Sequence, residues 1–269
     1  MTSAARVDAP RQNFARSLAS GLVGGYDVEG PRVRLGLLWL VALIVSIVLG
    51  GWALGVLMGL VAGAAGSQTA AAWRRVGRRP HQVVAGLTGL IMPLAAALGT
   101  GTLGAVVILA VLAAIVGAAT DRGRRSTVLA DAGITLRCGF VVGLACASLV
   151  VIHRLEIGAA ICLVLLMCAY DVGDFLVGTG ASTPAEGPIA GIAAVLVVTF
   201  AIGVFAFPPF DWASAWVFGG MAAAMCPLGQ VLATAMLPTA ESRAPSLRRV
   251  DSLLLVGPLW AWALWGYLA

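Results

Sequence analysis

From residue 35 to the C-terminus, long apolar runs alternate with short polar breaks. The runs cover roughly 35–50, 52–73, 82–98, 101–119, 134–152, 157–170, 188–207, 213–237 and 252–268. A helix needs about 20 apolar residues to cross a hydrocarbon core. The pattern therefore predicts an all-α polytopic membrane protein, a bundle of about nine transmembrane helices. Glycines in "LGGW" and "LGTGTLG" allow sharp turns, which predicts tight hairpins at the first and third joints. The second run trails off in the weakly hydrophobic "GLVAGAAGSQTAAAW", so its end is poorly marked. Small residues recur in "GLVAGAAG", "GLACAS" and "GGMAAAM", which lets helix backbones approach closely. These faces predict a compact bundle and permit a homodimer.

Composition agrees with the pattern. The chain is 60% hydrophobic and 11% charged, whereas a soluble domain carries roughly 25% charged residues. The longest polar segment, 1–34, has no apolar signal core and reads as a flexible cytosolic tail. It is followed by N-terminal transmembrane helices (35–152) and C-terminal ones (153–269). All 17 basic residues are arginine, so no lysine is present for Schiff-base or phosphate chemistry. The 5 cysteines, Cys138, Cys146, Cys162, Cys168 and Cys226, sit singly in apolar runs and read as buried apolar residues. The net charge of +5 suits anionic lipid. No basic run is interleaved with aromatics, so nucleic acid is not an expected partner.

The arginines orient the chain. The tail, "RRVGRRP" after the second run, "TDRGRRS" after the fourth and Arg243, Arg248 and Arg249 before the ninth all fall on one side of a nine-span arrangement. The opposite loops hold only Arg154. The positive-inside rule then predicts a cytosolic N-terminus, in a multi-pass protein of the cell membrane. On this count the segment 171–187, with Asp171, Asp174 and Glu186, faces the cytosol.

Acids at the end of a helix face the wrong pole of its dipole, which calls for a reason. Asp171 and Asp174 are spaced i, i+3 and share a face if the sixth helix continues by one turn. With Glu186 nearby they offer oxygen ligands to a hard cation; alternatively they are solvated acids closing a helix. Asp251 stands at the start of the ninth run behind Arg248 and Arg249. It is either a helix cap or an ionisable functional group at the membrane face. Gln230, inside the eighth run, is expected to hydrogen-bond between helices. His81 reads as a helix start, and His153, Arg154 and Glu156 as an interfacial cluster.

Three segments, in order, resemble the CDP-diacylglycerol synthase (phosphatidate cytidylyltransferase) family. "AYDVGDFLVG" (169–178) with "EGPIAG" (186–191) is similar to the family's A-Y-x-x-G-[RK]-x-x-G stretch and its E-G-x-x-G-G continuation. "LGQVLAT" (228–234) resembles its G-D-L-x-E-S segment, and "LRRVDSLLLVGPLW" (247–260) its closing D-R-x-D-S-L-L element. The resemblance implies a cytosol-facing cavity where CTP and phosphatidic acid react over Mg²⁺ to give CDP-diacylglycerol and pyrophosphate, in phospholipid biosynthesis. It implies catalytic Asp251 and Glu186. It assigns substrate or phosphate contacts to Tyr170, Gly173, Gly187, Arg248, Arg249 and Ser252. Asp171, Asp174 and Asp251 are the metal ligands this reading requires, although the family pattern does not demand acids at the first two.

The chain departs from the pattern at marked places. Arg248 stands for the first Asp of D-R-x-D, Gln230 for the Asp of G-D-L, and "STPAEG" for a longer lysine-containing stretch. Three readings follow: an active cytidylyltransferase with a rearranged site, a catalytically degenerate member that binds phospholipid or a partner membrane protein, and a transporter. Clustering of the acids at one face, without an inverted repeat, disfavours the transporter.

Overall fold

The computed structural model describes residues 31–120, 128–239 and 241–269. Among them there are nine α-helices and no strand. They are α1 (Pro31–Leu49), α2 (Gly51–Arg75), α3 (Gln82–Leu98), α4 (Thr100–Thr120), α5 (Val128–Leu155), α6 (Ile157–Gly178), α7 (Glu186–Val204), α8 (Trp212–Met236) and α9 (Leu253–Leu268). A short 3₁₀ turn, Leu247–Arg249, precedes α9. The expected tail lies, over 1–30, outside the described residues.

Six helices, α2 and α4–α8, are long and apolar enough to cross a membrane. The apolar stretches Leu38–Leu49, Gln82–Leu98 and Leu253–Leu268 are shorter. Large apolar side chains stand exposed along the bundle exterior, among them Ile44, Ile108, Val116 and Val197. Such a surface is unfavourable in water and suited to lipid. The protein is a helical membrane protein.

Polar residues at the expected joints start the helices. The His81 ring accepts from the Val84 N–H to cap α3. Glu156 accepts from the Gly158 N–H to cap α6. Asp211 and Ser214 form a reciprocal capping box on α8. Pro93, Pro227 and Pro258 lie inside helices, a placement membrane bundles accommodate through neighbouring helices.

The core sits where α2, α3 and α5 pack together, with α9 against α5 and α8, and α6 against α7. Close approach requires small residues there. A methyl group on Gly66 of α2 would sit 2.7 Å from the Ala85 carbonyl oxygen of α3, and one on Gly139 of α5 would overlap that same oxygen. Trp73 of α2 donates to the Met236 carbonyl at the end of α8 (2.8 Å), and so does Arg137 of α5 (3.2 Å). At the other end, His153 meets the Ile47 carbonyl oxygen and Arg154 donates to that of Ala96. The joints after α2 and α8 thus share one end of the bundle, and the joints after α1, α3 and α5 share the other.

Two boundaries differ from expectation. Helix α5 begins at Val128, six residues before the apolar run at 134, with Asp131 in its first turn. Helix α6 continues past residue 170 to Gly178. Asp171 and Asp174 are therefore helical residues, and the connecting segment is only 179–185. Apolarity marks where a helix meets polar surroundings; backbone hydrogen bonding carries it further.

Candidate polar site between three helix segments

The C-terminal part of α6, the C-terminal third of α8 and the turn before α9 meet at one place. Gly229 makes this possible: a methyl group there would overlap the Asp251 carbonyl oxygen, so α8 and the 247–252 turn touch backbone to backbone. On one side of this contact lies Gln230. Its amide nitrogen donates to Asp174 (3.0 Å), and its carbonyl oxygen accepts from the Tyr170 hydroxyl (3.1 Å). The expected interhelical role of Gln230 is thus specific: it ties α8 to two residues one turn apart on α6.

On the other side lies Arg248. It donates to the Thr234 hydroxyl (3.1 Å) and approaches the Asp251 carboxylate at 3.8 Å. The second Asp251 oxygen accepts from the Ser252 N–H (3.0 Å). Ser252 in turn points its hydroxyl at Asp171, 3.5 Å away, at the outer limit of a hydrogen bond. Asp251 and Asp174 are buried, at 8% and 6% exposure, whereas Asp171 is exposed. Burial pushes the Asp251 carboxyl up to about 6; Arg248 and the Ser252 N–H oppose this, and the neighbouring Asp174 adds to it.

The sequence-derived candidates divide. Asp171, Asp174, Tyr170, Gln230, Arg248, Asp251 and Ser252 converge. Asp251 does not cap α9: Ser252 holds the cap position, with no side-chain capping bond. Tyr170 is completely buried with its hydroxyl spent on Gln230, so it is a packing residue rather than a substrate contact. Gly173 serves helix contact, since a methyl group there would lie 2.8 Å from the Ala190 carbonyl oxygen of α7. Gly187 is buried within the first turn of α7. Glu186 binds its own loop, accepting from the Ser182 and Thr183 hydroxyls at 2.7 and 3.0 Å and from both backbone N–H groups. These bonds hold it to the 182–183 turn as a loop fastener. Arg249 forms no ion pair with a described carboxylate.

The metal assignment of Asp171, Asp174 and Asp251 is not met. Among the described residues, no three His, Cys, Asp or Glu side chains gather as a metal-holding group. The donors explain this. The Gln230 amide occupies Asp174, and Arg248 and a backbone N–H occupy Asp251. A guanidinium beside a carboxylate repels a second cation. The residues present do not fit Mg²⁺.

Two supporting residues escaped the sequence reading. Thr234 receives Arg248. Gln68 of α2 exchanges two hydrogen bonds with Ser246, at 3.1 Å each, fastening the segment before α9 to the core. The signal for Gln68 is the same as for Gln230, a lone amide in an apolar run.

No known family model matches the chain, and no characterised protein matches it significantly.

Proposed function

We propose that this protein is a nine-span, cytidylyltransferase-like membrane protein with its arginine-rich end toward the cytosol, catalytically degenerate, whose polar cluster binds the headgroup of a phospholipid such as phosphatidic acid. The observation carrying this reading is the Gln230 bridge: the amide that stands where the resemblance expects an acid holds Asp174 by a direct hydrogen bond. Arg248, at the other replaced position, pairs with Asp251. The buried acids are satisfied by protein donors, so the cluster stands without a cation. Arg248 is 34% exposed along its side chain, and a guanidinium has five N–H donors, which leaves donors for a lipid phosphate. Arg249 supplies a further charge beside it.

The active-enzyme reading, CTP plus phosphatidic acid to CDP-diacylglycerol and pyrophosphate, draws its support from the meeting of the three similar segments and from the exposure of Asp171. One experiment separates the two. Protein purified in detergent is given radiolabelled CTP, phosphatidic acid and Mg²⁺, and CDP-diacylglycerol is measured. The degenerate reading expects no product, with phosphatidic acid binding weakened by Arg248→Gln. Magnesium-dependent product that disappears in Asp251→Asn would establish the enzyme instead.

A further inference from the structure

A second polar feature lies away from the cluster, at the joint between α2 and α3. There the chain encloses an open cavity of about 750 Å³, bounded by the end of α2, the 76–81 connection, the start of α3 and the last turn of α4. Arg74, Arg78, Arg79, His81, Gln82 and Thr120 supply its polar wall, and among the described residues no acid lines it. The three arginines are exposed, and none pairs with a carboxylate among the described residues. The nearby Asp131 accepts the backbone N–H of Arg79, at 3.4 Å. Three guanidinium groups around one hollow, without an ion pair among the described residues, attract an anion.

The surroundings indicate which anion. Val83 lines the cavity and is exposed, and Leu87 and Ile91 follow it on α3, also exposed. Their spacing of four puts them on one helix face. This apolar stripe descends from the charged hollow along an apolar helix. A cationic cup above an apolar track has the shape of a phospholipid: phosphate at the rim, acyl chain along the helix. A free phosphate would use only the cup. Basic pockets between membrane helices bind anionic headgroups in this way.

We propose that this cavity is a binding site for the headgroup of an anionic phospholipid, held by Arg74, Arg78 and Arg79 with its acyl chain along Val83, Leu87 and Ile91. The site is independent of the polar cluster near Asp251.

The test uses the full chain purified in a neutral detergent. Native mass spectrometry follows titration with phosphatidylglycerol, phosphatidylcholine or inorganic phosphate. The expected result is a saturable phosphatidylglycerol adduct that phosphatidylcholine does not form. The adduct weakens about fivefold per arginine, near a hundredfold in the triple variant Arg74→Gln, Arg78→Gln, Arg79→Gln. Arg243→Gln, which removes a charge from another loop, leaves it unchanged. Since the three arginines are exposed, the variant is expected to keep the wild-type melting temperature; if it does not, Leu87→Gln, which cuts the acyl track, must weaken the adduct alone. Undiminished binding by the folded triple variant, equal binding of phosphatidylcholine, or full displacement by inorganic phosphate would each overturn the proposal.

Discussion

Replacing Gln230 by Met tests how the cluster is held together. The substitution keeps length and apolar volume but removes both the donor to Asp174 and the acceptor for Tyr170. A neutral interhelical hydrogen bond in a membrane bundle averages about 0.6 kcal/mol. A hydrogen bond to a charged partner is worth about 1.5–3 kcal/mol. Gln230→Met should therefore cost about 2–4 kcal/mol, nearly all from the Asp174 side. Tyr170→Phe, which breaks only the neutral bond, should cost about 0.6–1 kcal/mol. Pairing Gln230→Met with Asp174→Asn removes the charge that makes the bond strong, so in that background the Gln230 penalty should fall to about 1 kcal/mol or less. The assay is reversible unfolding in mixed micelles, followed by tryptophan fluorescence, for the four members of the Gln230/Asp174 cycle and for Tyr170→Phe. Equal penalties for Tyr170→Phe and Gln230→Met, or no coupling with Asp174, would refute the argument that a buried carboxylate is held by this amide.

Gly229→Ala should destabilise by about 1–3 kcal/mol through overlap with the Asp251 carbonyl, read as a lower melting temperature. The pH dependence carries a definite sign. The folded Asp251 carboxyl lies near 6, above the unfolded value of about 3.9. Between these the native state holds the extra proton, so stability falls as pH rises through this window, by up to about 3 kcal/mol. Asp251→Asn should flatten that slope, and Arg248→Gln, which removes the opposing charge, should move its upper limit to higher pH. Mg²⁺ should leave the wild-type melting temperature unchanged, while Gln230→Asp with Arg248→Asp, which frees carboxylates from their protein donors, should gain a Mg²⁺-dependent rise.

The sequence alone determined the membrane character and the helical class, because apolar length and the cost of unpaired backbone groups in lipid leave few alternatives. It also marked the helix start at His81, and it singled out Asp171, Asp174, Gln230, Arg248 and Asp251 as polar groups of interest, whereas the caps at Glu156 and Asp211 emerged only in the structure. Which partners they take was decided only in three dimensions. Asp174 and Gln230 are far apart in the chain, and their bond depends on how α6 crosses α8, while Gly229 lets the 247–252 turn close onto α8 beside them. The same packing made Tyr170 a buried strut and Gly173 a helix contact, and it left Glu186 fastening its own loop. The basic cup by α3 was equally invisible as a site. The string "RRVGRRP" predicts a charged surface loop, but only the folding of α3 and α4 against it encloses a hollow. Local chemistry is written residue by residue; coordination and enclosure depend on distances between helices, and these are fixed by close packing across the whole bundle.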